Sequence, residues 1–205
     1  MLTIALPKGR IGDDSLALFE KIFAKEFRFG ERKLILEIDD FRFLRVRNQD
    51  VPTYVYHQAA DLGVVGLDVL EEKGLDLVRL LDLGFGACSV SIGIKEDEEL
   101  TFNKPSYRVA TKMENITREF FSKKAIPVEI IKLYGSIELA PLVGLADMIV
   151  DIVETGETMK QNGLKPALTI MQSSAYFIAN KNSFYDKKEK ILALRQQLQE
   201  ALGGA

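Results

Sequence analysis

Short apolar runs rich in β-branched residues alternate along this chain with amphipathic stretches. That alternation constrains the fold more than any other feature, because it favours mostly parallel sheets covered by helices. Leu2 to Leu6 predicts a strand, and Asp14 to Ala24 a helix with Leu16, Phe19, Ile22 and Phe23 at helical spacing. Strands are expected at Leu34 to Ile38 and Phe43 to Val46, followed by a helix that Asp50 can cap and whose first turn suits Pro52. Asp61 closes that helical region. Leu62 to Val65 and Leu77 to Leu81 read as strands on either side of a helix, Leu67 to Lys73, that Gly74 ends.

The texture changes after Gly84. Ala87 to Ile94 is a long apolar strand, and the acidic turn Lys95 to Glu99 marks a lobe boundary. A second series follows: strand Tyr107 to Thr111, a helix capped by Asn115 through Lys123, strand Val128 to Leu133, helix Ile137 to Val143 and strand Met148 to Val153. Thr155 to Asn162 predicts a helix stopped by Gly163, and Ala167 to Asn180 a long strand or strand pair returning to the first lobe. One last helix is expected from Phe184 to Leu202, packed through Ile191, Leu194, Leu198 and Leu202, with Gly203 to Ala205 fraying. At 205 residues, against a prior of roughly 150 per domain, one domain with a long insertion or two small lobes fit the length.

Composition removes several functions. A net charge of -3 argues against a broad nucleic-acid footprint, so any phosphate site must be local. One cysteine, Cys88, and one histidine, His57, cannot build a Cys/His zinc cluster; His57 reads as a packing or surface residue and Cys88, in a buried strand, as a small core residue. The amino terminus lacks signal-peptide character, and the charge-free stretch Pro166 to Asn180 is shorter than the ~20 residues of a spanning helix. A cytoplasmic protein without membrane or nucleic-acid partners is expected.

The chemistry concentrates between Met148 and Gly163, MIVDIVETGETMKQNG, where an apolar strand runs through acidic residues into Thr-Gly-Glu-Thr. Free backbone N–H groups, the open approach at Gly156 and the hydroxyls of Thr155 and Thr158 can cradle a phosphate; equally, Thr155 can simply cap a helix with Glu157 in its first turn. Asp151 and Glu154 suit a ribose diol or a hydrated magnesium ion, or are solvated charges at a strand end. A positive partner is expected elsewhere, at Lys8 and Arg10 in LPKGR, since ligands of open α/β sheets collect beyond the carboxyl ends of the strands. Gly63 and Gly66 frame another ligand-facing turn with Asp68 at a helix start, but without the full dinucleotide fingerprint.

Together LPKGR, RNQDVP from Arg47, ADLGVVGLDVL from Ala60, VATK from Val109 and the block from Gly135 to Leu164 resemble the short form of the ATP phosphoribosyltransferase family over essentially the whole chain. The resemblance implies a two-lobed α/β fold of the type II periplasmic-binding-protein kind, with the active site in the cleft between lobes. Lobe I is expected at 1–90 with 176–205 and lobe II at 91–175. The implied reaction joins ATP to phosphoribosyl pyrophosphate with Mg2+, releasing pyrophosphate. It assigns Thr155, Gly156, Glu157 and Thr158 to the ribose 5-phosphate, Asp151 and Glu154 to ribose hydroxyls or metal, and Lys8, Arg10 and Arg47 to pyrophosphate or triphosphate oxygens. Arg42 or Arg45 could stand in for Arg47, and Asp68 and Glu138 are adenine-side, metal-side or structural. No carboxy-terminal regulatory domain is expected. A histidyl-tRNA-synthetase-like subunit would supply regulation, in a hetero-oligomer built on catalytic dimers. The alternatives are a non-catalytic solute-binding module and another phosphoribosyltransferase.

Overall fold

The structure, a computed structural model, describes residues 1–30 and 32–203. In chain order the elements begin β1 (Leu2–Pro7), α1 (Arg10–Phe23), β2 (Ile35–Ile38), β3 (Phe41–Val46), a 3₁₀ turn (Asn48–Asp50), α2 (Val51–Tyr56), β4 (Leu62–Gly66), α3 (Leu67–Lys73) and β5 (Val78–Asp82). They continue through β6 (Cys88–Lys95), β7 (Tyr107–Thr111), α4 (Glu114–Lys123), β8 (Val128–Lys132), α5 (Leu139–Leu142), β9 (Met148–Val153), α6 (Glu157–Gln161) and β10 (Leu164–Ser173). β11 (Ala175–Ala179), α7 (Lys181–Asp186) and α8 (Lys188–Gly203) follow; Gly204 and Ala205, expected to fray, lie outside the described residues.

Two units result, Met1–Gly86 with the chain from Ser174 onward, and Ala87–Ser173. A boundary at residue 90 would cut β6, which pairs with β9 and β10 of its own unit from Cys88 to Lys95. The polar turn after Lys95 likewise lies inside the second unit.

The first unit holds a six-stranded sheet in the order β2-β3-β1-β4-β11-β5, the second a five-stranded sheet in the order β10-β6-β9-β7-β8. The α/β class holds, but the sheets are mixed and not mostly parallel. β1 pairs parallel with β3 and β4, and β7 with β8 and β9, whereas β2–β3, β4–β11, β11–β5, β6–β9 and β6–β10 are antiparallel. Antiparallel pairing enters where a strand returns by a hairpin, as β2 to β3, or comes back after the excursion through the second unit, as β11 does.

Both faces of each sheet are covered, which explains why β1 and β4 are apolar runs and not alternating ones. In the first unit Leu2, Ile4 and Phe177 pack with Phe19 of α1 and Leu194 of α8, while Ala5 and Val65 face Val51, Val55 and Leu70 from α2 and α3. In the second, Val109 and Val150 pack with Phe121 of α4, and Ile149 with Met159 of α6.

Local differences from the expected elements have identifiable causes. α1 starts at Arg10, four residues before the expected Asp14, because Gly12 lets the first turn close on the strand before it: a Cβ there would lie 1.8 Å from the Pro7 carbonyl oxygen. Asp50 stands at the N-cap of α2 but its side chain makes no capping bond, since the 3₁₀ turn already leads the chain in. α4 begins at Glu114, so Asn115 lies within the helix and is not its cap. Val51 to Tyr56 is the whole of α2, so Asp61 does not end it. Asp61 instead accepts the Thr3 N–H (2.9 Å), the Ser183 hydroxyl (2.7 Å) and the Lys187 ammonium (2.8 Å). Burial pushes its carboxyl up, but those three donors outweigh it and hold the group below the usual carboxylate range. The last helix is two: Asn180 caps α7 by accepting the Asn182 and Ser183 N–H groups, and the chain breaks at Lys187 before α8.

Candidate active site

In each unit the candidate residues follow the carboxyl ends of parallel strands, where an open α/β sheet exposes its loops. In the first unit Lys8 follows β1 and Arg47 follows β3, and the two ends are tied by the Lys8 N–H to the Val46 carbonyl (2.9 Å). Gly9, at φ 91°, turns the chain so that Arg10 opens α1. Lys8, Arg10 and Arg47 are all exposed. The other two arginines are engaged: Arg42 pairs with Glu37 (2.8 Å) across β2–β3, and Arg45 reaches Asp13 (3.7 Å) and lies over the Phe29 ring. Among the described residues Arg47 forms no ion pair, which separates it from the two that could have replaced it.

Asp68 follows β4 but is only 5% exposed in the first turn of α3. The structure does not bring it onto an open surface. His57 is an exposed residue just past α2, edge-on to Tyr56, and Cys88 is a half-buried cysteine outside any disulfide at the start of β6 and not a fully buried core residue.

The second unit contains a cavity of about 310 Å³. Lys112, Glu138, Asp151, Glu154, Thr155, Gly156 and Thr158 line it, so six of the residues singled out in the sequence share one pocket. β9 delivers the acidic residues, and Gly156 at φ 79° reverses the chain into α6. Only glycine adopts that conformation cheaply. α6 starts at Glu157 and not at Thr155; the Thr155 hydroxyl is a distant 3.4 Å acceptor for the Glu157 N–H, so capping employs it weakly. The Thr155 and Thr158 residues are exposed, with Glu157 beside them and Glu138 half-buried before α5.

The positive group expected elsewhere is also present in this pocket. Lys112, in the turn after β7, sits 3.0 Å from Asp151 Oδ1, the two side chains being 30% and 13% exposed. The same oxygen accepts the Ile152 N–H at 2.8 Å. Sequence reasoning missed Lys112, although VATK places it directly after a strand whose neighbour in the sheet is the acidic one. Among the described residues no three Asp, Glu, His or Cys side chains converge as a metal site, and no helix is long and apolar enough to cross a membrane.

Fold and pocket together define a two-unit α/β chain with a polar, acidic pocket in its second unit. Its backbone resembles the periplasmic aliphatic sulphonate binding protein SsuA of Escherichia coli, with a TM-score of 0.61 at 15% identity over 98% of this chain and 72% of that one. This likeness concerns the fold alone. A family model described as HisG, ATP phosphoribosyltransferase, covers residues 47–200. The ATP phosphoribosyltransferase of a Nitratiruptor species is 80% identical over 205 residues, all of both chains, and that of Campylobacter curvus 65% identical over 202, or 98% of each. The ATP phosphoribosyl transferase (HisG:HisZ) complex from Thermotoga maritima contains a chain that superposes with a TM-score of 0.89 at 33% identity, covering 100% of both. The chain belongs to the ATP phosphoribosyltransferase family, glycosyltransferases that pass a pentosyl group to ATP in the first step of histidine biosynthesis.

Proposed function

We propose that the second unit's pocket binds the ribose 5-phosphate of phosphoribosyl pyrophosphate, and that the first unit's basic residues hold pyrophosphate or triphosphate oxygens. The observation that carries this reading is the shared pocket of Thr155, Gly156 and Thr158 beside Asp151 and Glu154. Hydroxyls and backbone N–H groups on a glycine turn supply donors to phosphate, and Glu157 contributes through its backbone. Asp151 and Glu154 accept from the ribose hydroxyls; Glu138, which lines the same pocket, is an adenine-side or metal-side group.

The bond formed joins adenine N1 to ribose C1, and the bond broken joins C1 to the pyrophosphate oxygen, which leaves with the electron pair. Such a step asks for alignment and charge stabilisation more than for a strong base. Lys8, Arg10 and Arg47 meet the second need, the forked guanidinium of Arg47 suiting bidentate contact with a polyphosphate. The donor set fits Mg2+ held chiefly by substrate phosphates and water, with Asp151 as its protein carboxylate, because magnesium keeps several waters and takes few side-chain ligands. When bound, the ion neutralises charge on the departing pyrophosphate.

By analogy with the Thermotoga HisG:HisZ complex, we assign this chain a histidyl-tRNA-synthetase-like regulatory partner, with catalytic dimers as the building block and the cytoplasm as the place of action. The test incubates the protein with ATP, phosphoribosyl pyrophosphate, Mg2+ and pyrophosphatase, with and without the partner subunit, and detects phosphoribosyl-ATP by mass spectrometry. Thr158→Ala is expected to lower kcat/KM for phosphoribosyl pyrophosphate about 10- to 100-fold, the range of one lost contact to a charged group. Full turnover by Thr158→Ala and Asp151→Asn would overturn the assignment.

A further inference from the structure

We infer that Lys112 is the cation of the phosphate pocket, a binding and positioning residue that trades Asp151 for an incoming phosphate oxygen. The inference rests on the phosphate reading above. Three carboxylates, Glu138, Asp151 and Glu154, line the cavity, and Lys112 is the one cationic side chain among its lining residues. Donors alone face an opposing field there, because like charges near a protein surface interact more strongly than in bulk water. A phosphate enters such a pocket only if a positive charge offsets the carboxylates, and the 3.0 Å pair places that charge.

The surroundings of Lys112 fix where its stem starts. Thr111 is fully buried and donates its hydroxyl to the Val150 carbonyl of β9 (2.7 Å), while its own Oγ1 accepts the Met113 N–H (2.9 Å). Met113 is itself buried, and its carbonyl accepts the Thr117 hydroxyl (2.6 Å). Lys112 is therefore pinned on both sides, with its backbone tied to the strand that carries Asp151. Its ammonium sits on a flexible stem and forms a point-charge contact, so it can move from carboxylate to phosphate without displacing the chain. Asp151 keeps the Ile152 N–H when the lysine leaves, and its carboxylate becomes available to the ribose hydroxyls. Lys112 and Asp151 thus act as a pair whose partners change on binding.

The full-length protein is titrated with ribose 5-phosphate by calorimetry, comparing wild type, Lys112→Met, Lys112→Arg, Thr158→Ala and Lys112→Met/Asp151→Asn. Lys112→Met is expected to weaken binding about 10- to 100-fold, and Lys112→Arg to recover most of the loss. An asparagine at 151 still accepts from the ribose hydroxyls but lacks the charge that opposes the phosphate, so the double variant should bind several-fold more tightly than Lys112→Met, which loss of a merely structural side chain would not produce. In steady state, Lys112→Met raises KM for phosphoribosyl pyrophosphate while KM for ATP stays within about twofold. Lys112→Gln serves the same comparison if Lys112→Met fails to fold. Unchanged ribose 5-phosphate binding by Lys112→Met, with binding lost in Thr158→Ala, overturns the role of Lys112 and leaves the phosphate reading standing. Unchanged binding in both overturns both.

Discussion

Replacing Asp61 by alanine removes one carboxylate and strands three donors, and the cost can be worked out contact by contact. Asp61 is 8% exposed and Ser183 4%, whereas the Lys187 side chain is 38% exposed. The ammonium therefore recovers most of its hydration, and the penalty falls on the Thr3 N–H and the Ser183 hydroxyl. At ~1–3 kcal/mol for each of these two groups left without a partner, the expected loss is about 2–6 kcal/mol. For a chain of 205 residues, where 1 kcal/mol moves the midpoint by ~2–4 °C, a central loss of about 4 kcal/mol lowers Tm by about 8–16 °C. With no tryptophan in the chain, far-UV circular dichroism in urea and on heating is the assay. The effect should also depend on pH. Because the folded-state carboxyl lies below its ordinary value, its stabilisation is complete above the unfolded pKa of about 4 and is lost as pH falls through the folded one. Asp61→Asn should flatten the acid limb of the stability curve. It should not abolish it, because Asp147 is also held low: burial pushes it up, but the Arg108 N–H and the Lys104 ammonium outweigh that. A loss below about 1 kcal/mol in Asp61→Ala would refute the contact-by-contact reasoning.

Two further outcomes are expected. Arg47→Ala should weaken use of one polyphosphate substrate by about 10- to 100-fold with Tm unchanged. Arg42→Ala and Arg45→Ala, whose partners are Glu37 and Asp13, should leave KM values within about twofold; equal effects at all three positions would contradict the assignment. Gly12→Ala should cost about 1–3 kcal/mol in urea unfolding, since its methyl group would meet the Pro7 carbonyl oxygen and push α1 off the strand end. Calorimetric stability equal to wild type would show that this turn has slack.

The parts of this molecule that were readable in advance are those governed by local pattern. Leu67–Lys73 ends at Gly74 as read, because a left-handed glycine after an apolar stripe is decided within a few residues. Tyr107–Thr111 and Met148–Val153 coincide with their expected strands for the same reason. The pocket loop was legible because its residues are consecutive, Asp151 to Thr158. Lys112 lies 39 positions from Asp151, and only the parallel pairing of β7 with β9 makes them neighbours. Asp61 looked like the end of a helical region for the same reason: its partners Thr3, Ser183 and Lys187 come from distant segments. Sheet direction was misjudged because a parallel sheet follows from strand–helix alternation only while consecutive strands stay in one sheet, and β11 comes back after a long detour.

That detour bears on how the chain is made. Among the described residues β5 has no neighbour in its sheet except β11, so when residues 1–86 have left the ribosome the last strand of their sheet has nothing to join. Residues 87–173, by contrast, form their unit without interruption. The segment that emerges first therefore waits on one of the last to be synthesised, while the middle of the chain can finish its own sheet in the meantime.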